Sequence, residues 1–385
     1  MKLRAASELC QSSLAILEGI SNSPSSASEP DLAKIHADFL SLLSLIYHVV
    51  TKLALALNPT EPEFSAAIYL LDDLINHVNA ITSCASLVTI TFGSTLRTEV
   101  VGLTFDVVQA TKAFVDNCIP ATNCATPPSK LKPTHLYLTG SLHELIDHSR
   151  SSDGLSKNNL QAVRKKWSQD RSVLEDGYRE LSELLASEGA DNDTLTLDLD
   201  DLDGLVLDSA PLSANELERV KKVCISTSCS RCLKLSDAQV QGYIRVTNLL
   251  HERVCVDLLK PSALEVASLS PNFVSTLDEI SNQSTRFVSA TDEVISCLHS
   301  PQDPEAISTS LRNLWEVVDT LHRLLNQGNF LPKPKEQGLE SQMESLTIKD
   351  SKEKQKKAKD TRRWFGTCFD QAAKLQVSLS AELSG

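Results

Sequence analysis

The chain has 385 residues, enough for two or three separate cores, and a globular composition: 41% hydrophobic, 23% charged, few Gly (13), few Pro (15) and only 5% aromatic. A net charge of −13 argues against a generic nucleic-acid surface, since phosphate binding needs clustered Lys and Arg, and suits basic or apolar partners. Ten cysteines are too dilute for a disulfide scaffold.

The N-terminal stretch MKLRAASELCQSSLAILEGI has polar residues breaking its apolar run, which argues against a secretory signal and for reduced thiols in cytosol or nucleus. Residues 39–57, FLSLLSLIYHVVTKLALAL, have the length and apolarity of a membrane span but carry His48 and Lys52. Ile35, Phe39, Leu42, Ile46, Val49, Leu53 and Ala56 follow steps of four and three, which predicts a core helix with one buried stripe.

The same stepping recurs along the chain. Leu96, Val100, Leu103, Val107, Ala110 and Phe114 form one seam, widened by Val101, Val108 and Val115. Leu160, Val163, Trp167, Leu174, Leu181 and Leu185 form a second. Phe273, Leu277, Ile280, Phe287, Val294 and Leu298 form a third, and Ile307, Leu311, Leu314, Val318, Leu321 and Leu325 a fourth. A repeat of about 3.5 residues on many long helices predicts an all-α fold of long antiparallel helices in bundles. Ser213 with Glu216, and Ser262 with Glu265, have capping-box spacing. Pro62 and Pro304 mark first helical turns, TPPSKLKP at 126–133 must interrupt helix, and no sustained strand alternation is present.

Residues 186–216 hold nine acidic residues and no basic one, and residues 328–351 lack periodicity. The expected organisation is therefore a bundle over 1–185, an acidic linker over 186–212, and a second bundle over 213–385 with a flexible segment near 328–351. The last helix is expected at roughly 352–383.

Candidate chemistry is sparse. Cys224, Cys229 and Cys232 in CISTSCSRC have the spacing of three iron–sulfur ligands. The surrounding ELERVKKVCISTSCSRCLKLS has no Gly or Pro, and on a helix the three thiols spread over about 140°. They cannot converge unless that helix breaks, and the next candidate, Cys255, lies in another apolar helical pattern. Packing of small side chains is the favoured reading; a metal or redox site on this trio is the alternative.

HELIDH, 143–148, misses the zinc-protease spacing because Asp147 stands where the second His should be, which leaves a His143–Asp147 surface pair as the expectation. DLDDLDG fails as an EF-hand: with Gly204 at position 6, positions 1 and 12 are Leu199 and Ala210. Leu195, Leu197, Leu199, Leu202 and Leu205 between aspartates read either as a partner-docking loop or as a solvated one, with Thr194, Thr196 and Ser209 as candidate phosphosites. KDSKEKQKKAKDTRR, 349–363, has eight basic residues against three acidic. Lys354, Lys356, Lys357, Arg362 and Arg363 are its candidate nuclear-import patch, and a solvated helix face is the other reading. No phosphate loop, dinucleotide fingerprint or nucleophile elbow is present, so neither an enzyme nor a cofactor is expected.

The ordered set STLRTEVVGLTFDVVQATKAFV, SLHELIDHSR, NNLQAVRKKWSQDRSVLEDGYREL, the acidic loop, LERVKKVCISTSCSRCLKL, LDEISNQSTRFVSATDEVISCLHSPQDPEAI and WFGTCFDQAAKLQ resembles the cyclin-D-interacting protein family, GCIP, also described as Id-like helix-loop-helix regulators. The long Lys-rich segment before the last helix departs from that family's pattern. The resemblance implies two associated bundles akin to those of vinculin, α-catenin and talin, without catalysis. It also implies protein partners: a D-type cyclin, a helix-loop-helix factor or an adaptor, in cytoplasm and nucleus. Direct binding of nucleic acid or membrane is not expected, and a vinculin-like cytoskeletal linker is a further alternative.

Overall fold

The apolar stripe of residues 32–56 becomes helix α2, Leu32–Ala56, in the computed structural model of the chain. Asp31 opens it by accepting a hydrogen bond from the Ala33 N–H at 2.9 Å, a side-chain cap on one of the helix's free donors. Phe39, Leu43, Ile46, Val50 and Leu53 are then fully buried. Each such side chain contributes about 1.5–3 kcal/mol through burial. Of the seven stripe residues expected, Ile35, Phe39, Ile46, Val49, Leu53 and Ala56 are buried; the departure is at Leu42, which is only partly covered while Leu43 is in the core. Branched and aromatic side chains on both flanks widen the buried face beyond a single row.

The structure describes residues 1–20, 31–58, 62–121, 134–187, 243–260, 271–299, 301–328, 330–331 and 348–383. Among these residues there are ten α-helices and no strand, so the fold is all-α. Besides α2 they are α1 (Lys2–Gly19), α3 (Phe64–Ser86), α4 (Ser94–Ala121), α5 (Thr134–Arg150), α6 (Asn159–Ser187), α7 (Tyr243–Arg253), α8 (Pro271–Cys297), α9 (Pro304–Gln327) and α10 (Ile348–Leu383). A 3-10 turn, Ile90–Phe92, precedes α4, and a π-helical turn, Val254–Leu258, continues α7.

The chain forms two compact units. One is Met1–Val163 with Ser270–Asp278, and the other is Arg164–Leu269 with Glu279–Gly385. The division falls inside α6 and inside α8. In the first unit each long helix touches two neighbours in the order α1, α3, α2, α5, α4 and back to α1, with α3 and α4 also in contact. This closed ring encloses the main core. Helix α1 runs antiparallel to α4: Ser7 donates to Asp116 at 2.5 Å near one end, and Arg97 donates to the Ile20 carbonyl at 3.4 Å near the other. Thr82, Thr104 and Thr111 are buried, and each hydroxyl donates to the carbonyl four residues earlier, so none of these three hydroxyls is stranded.

Among the described residues α2 is the one helix long and apolar enough to cross a membrane by length and composition. Its buried stripe packs against α3 and α5 in the first unit.

In the second unit Trp167, Phe287, Val294, Ile307, Leu311, Leu314, Val318 and Phe365 are fully or nearly fully buried along their seams. Helix α9 opens with Asp303 accepting from the Glu305 N–H and with Pro304 at the first helical position. Pro62, by contrast, stands before the cap residue Glu63 of α3 and outside its first turn. Helix α10 packs on α9 and α7 through Phe365, Phe369, Ala372 and Leu375. It starts at Ile348, four residues earlier than expected, so residues 348–351 are helical rather than part of an irregular stretch. Helix α6 likewise runs through Ser187, past the expected linker boundary at 186. The capping boxes at Ser213 and Ser262 lie outside the described residues.

Candidate functional site

A concave surface lies where the end of α1 meets the first three turns of α4. Its geometry starts from Gly93, which closes the 3-10 turn with φ of +112° and whose carbonyl accepts the first helical bond of α4, from Arg97 N–H at 3.1 Å. At that angle an L side chain is strained, and a Cβ would stand 2.0 Å from Asn159 Cγ. Glycine has no side chain to cap the helix, so the free N–H groups of the first turn are met from elsewhere.

Asp278 supplies most of the cap. Its Oδ2 accepts from the Ser94 N–H at 2.7 Å, and its Oδ1 accepts from the Thr95 N–H at 3.0 Å and the Thr95 hydroxyl at 2.9 Å. Asn159 Oδ1 accepts from the Leu96 N–H at 3.0 Å, while its Nδ2 donates to Asp278 Oδ1 at 3.0 Å. A carboxylate at a helix N-terminus is also favoured by the helix dipole. All these residues belong to the first unit. The cap fixes where α4 begins and therefore which of its residues face α1.

Those residues are Ser94, Arg97, Thr98, Val101, Gly102 and Phe105, and opposite them stand Leu17, Glu18 and Ile20. Together they line a groove of about 400 Å³. Arg97 is 8% exposed and its guanidinium turns to the Ile20 carbonyl just past α1, where cations suit the helix C-terminus. The Thr98 hydroxyl donates within its own helix to Ser94 O at 2.9 Å. Gly102 has no heavy atom within 4 Å of where a Cβ would be, so its missing side chain is a notch open to solvent rather than a tight packing contact. Glu18 is exposed on the rim, and Asp106 is exposed one turn beyond Gly102. The lining offers apolar surface and a carboxylate rim, which suits binding.

The second unit buries a different polar group. Ser284 donates to Asp170 Oδ2 at 2.7 Å, and His251 Nε2 stands 2.9 Å from the same Ser284 oxygen. The serine proton is committed to an acceptor-only carboxylate, so His251 carries its proton on Nε2 and donates. Its Nδ1 has no partner among the described residues. The ring stacks on Trp167 at 4.1 Å, and Lys166 pairs with Asp170 at 2.5 Å. Burial, followed by the charges of Arg171 and Lys166, pushes the His251 pKa down to about 3. Serine, histidine and aspartate come together here in the wrong order for a hydrolase, where the serine proton must pass to the imidazole. His251 and Ser284 are also 0% exposed. This is a polar part of the core. No local motif announces it, because its members are 81 and 33 residues apart in a sequence otherwise read by apolar spacing.

The residues singled out from sequence fall elsewhere. Cys224, Cys229, Cys232 and the loop residues Leu195, Leu197, Leu199, Leu202 and Leu205 lie outside the described residues. Lys354, Lys356 and Lys357 fall on α10, and Arg362 and Arg363 are exposed on the same helix. Cys255 is buried, and burial raises its thiol pKa. Among the described residues no three His, Cys, Asp or Glu side chains are placed to hold a metal ion. The expected His143–Asp147 pair is replaced by other contacts. His143 stacks on Tyr47 at 3.8 Å and lies 3.0 Å from Thr51 Oγ1, while Asp147 pairs with Arg150 at 4.0 Å. Helix α2 claims His143 because α5 packs against it along that face.

Among the described residues, fold and groove define an all-α protein with a helix-lined concave surface and a buried polar cluster. Residues 38–187, from within α2 to the last residue of α6, match the family model described as Grap2 and cyclin-D-interacting, N-terminal. Over those residues the chain is similar to the N-terminal domain of this family, GCIP. No curated protein matches the chain.

Proposed function

We propose that the chain is a non-enzymatic interaction protein that binds a cyclin of the D type, a helix-loop-helix factor or an adaptor through its helical surfaces. The observation that carries this reading is the match of residues 38–187 to a family described as cyclin-D-interacting. The exposed groove on the first unit supports it, because helices that leave an apolar face open serve partner helices.

Titration calorimetry of the full-length chain with a purified D-type cyclin tests the reading. Saturable binding is the expected outcome. Absence of binding to D-type cyclin, helix-loop-helix factor and adaptor alike sinks it. The reading also places the protein in both cytoplasm and nucleus, with Lys354, Lys356, Lys357, Arg362 and Arg363 acting in import. Replacing all five with Gln in a fluorescent fusion should remove the nuclear signal.

A further inference from the structure

We propose that the groove between α1 and α4 docks one amphipathic helix of a partner protein, an apolar stripe against the groove floor and a Lys or Arg at each end. The inference rests on the protein-binding reading but not on the identity of any partner.

Length is the first argument. The α4 lining runs from Ser94 to Phe105, which at 1.5 Å per residue is about 17 Å, or about three turns of a docked helix. Three turns present anchors at i, i+3 or i+4, and i+7, the usual way a helix occupies a groove. Half-buried Ile20, Val101 and Phe105 supply apolar surface for them, with the buried Leu17 beneath. Gly102 opens the middle, so a backbone or a large anchor can come close there without displacing any neighbour.

Charge is the second argument and chooses the occupant. Arg97, the cation of the lining, is buried and turned to the Ile20 carbonyl, so it offers little positive charge to a ligand. Glu18 and Asp106 are exposed, and neither is in an ion pair among the described residues. The open charge of the groove is therefore negative, and the whole chain at −13 draws in a basic partner at long range. The neighbouring stretch SNSPSSASEP, 21–30, contains no Leu, Ile, Val, Phe, Lys or Arg, so its composition does not match this surface.

The test uses the full-length chain and a fluorescein-labelled, 14-residue designed helix with Leu at one face and Lys at both ends. Controls are the same peptide with Glu in place of Lys, and a scramble with no apolar face. Saturable anisotropy is expected for the Lys peptide alone. Gly102→Leu fills the notch and should weaken it at least tenfold while leaving the melting temperature unchanged or raised. The double variant Glu18→Lys and Asp106→Lys should reverse the preference between Lys and Glu peptides. No saturable binding of the Lys peptide, equal binding of the scramble, or unchanged binding by Gly102→Leu each overturns the proposal. So does a wild-type dimer that Gly102→Leu converts to monomer, which would give the groove to a second copy of the chain. A D-type cyclin measured in parallel separates the two readings. If the wild type binds cyclin and Gly102→Leu binds it equally while also keeping the peptide, only the groove proposal fails. If the peptide result holds and no family partner binds, only the cyclin reading fails.

Discussion

The two polar clusters, one in each unit, treat hydrogen bonding in opposite ways. At the start of α4 a set of donors running from exposed Ser94 to buried Leu96 is met bond for bond by Asp278 and Asn159, side chains from 183 and 63 residues away. In the second unit Asp170, Ser284 and His251 are buried, and His251 Nδ1 is left without a partner. The first arrangement ties distant segments together through backbone groups that need satisfying anyway. The second places an ionisable ring where charge is costly. One sets geometry, and the other sets how the unit responds to acid.

The sharpest way to break the first cluster is Gly93→Ala. The new Cβ meets Asn159 within 2.0 Å and the backbone stays at φ +112°, so both the turn and the cap must shift. A loss of about 4 kcal/mol is expected, read as a lower midpoint in urea. An unchanged midpoint would mean that the cap does not depend on this turn.

The second cluster is tested by pH. The folded pKa of His251 is about 3 against an ordinary 6.5, so the unfolded chain binds more protons between those values. Stability from the neutral ring is complete above about pH 6.5 and is lost as pH falls toward the folded value. By pH 5 about 2 kcal/mol should be gone, at up to about 1.4 kcal/mol per pH unit. The groups facing the ring do not oppose this trend. Arg171 and Lys166 on α6 lower the pKa, Asp170 is already paired with Lys166, and Glu252 is drawn to Arg171 at 3.3 Å. His251→Gln should flatten the slope between pH 5 and 6.5 even though it lowers stability at neutral pH. A slope equal in wild type and variant would assign the acid sensitivity to other groups.

Asp278→Asn has a smaller effect. It keeps an acceptor but removes the charge that faces the α4 N-terminus, and its amide meets the Asn159 amide donor that the carboxylate now accepts from. About 1–2 kcal/mol of destabilisation is expected, and hydrogen exchange should speed up first in residues 94–97. Uniform exchange along α4 would show that the cap does not hold that turn.

Much of the scaffold was legible because packing writes a period into sequence. Every seam residue named for α8 and α9 is buried, from Phe273 to Leu298 and from Ile307 to Leu325. The period located α2 as well and missed its stripe at one position, because Leu42 and Leu43 are chemically equal and only neighbours decide between them. His143 was misassigned for a related reason: local spacing offered Asp147, and a helix distant in sequence offered Tyr47 and Thr51. The cap of α4 left no trace, since Ser94 and Thr95 look like ordinary capping residues and nothing local points to Asp278. The groove was invisible because apolar periodicity records what fills space, and the groove is made by what does not.

Gly102 carries that last point. In TEVVGLTF it reads as a flaw in a seam between Val101 and Leu103, and by propensity it weakens α4. Nothing in the packing requires it, since a Cβ there meets no atom within 4 Å. Gly102→Ala should therefore stabilise the chain by about 0.5–1 kcal/mol through a less flexible unfolded state and a better helix former. The same substitution nine positions earlier, at Gly93, goes the other way by several times as much, so the pair separates a glycine needed by the backbone from one that leaves surface open. A stable Gly102→Ala protein with weakened binding of the Lys-flanked peptide would tie the residue's retention to the groove. If Gly102→Ala instead destabilises the chain, Gly102 serves the packing of α4, and the notch loses its meaning as a docking feature.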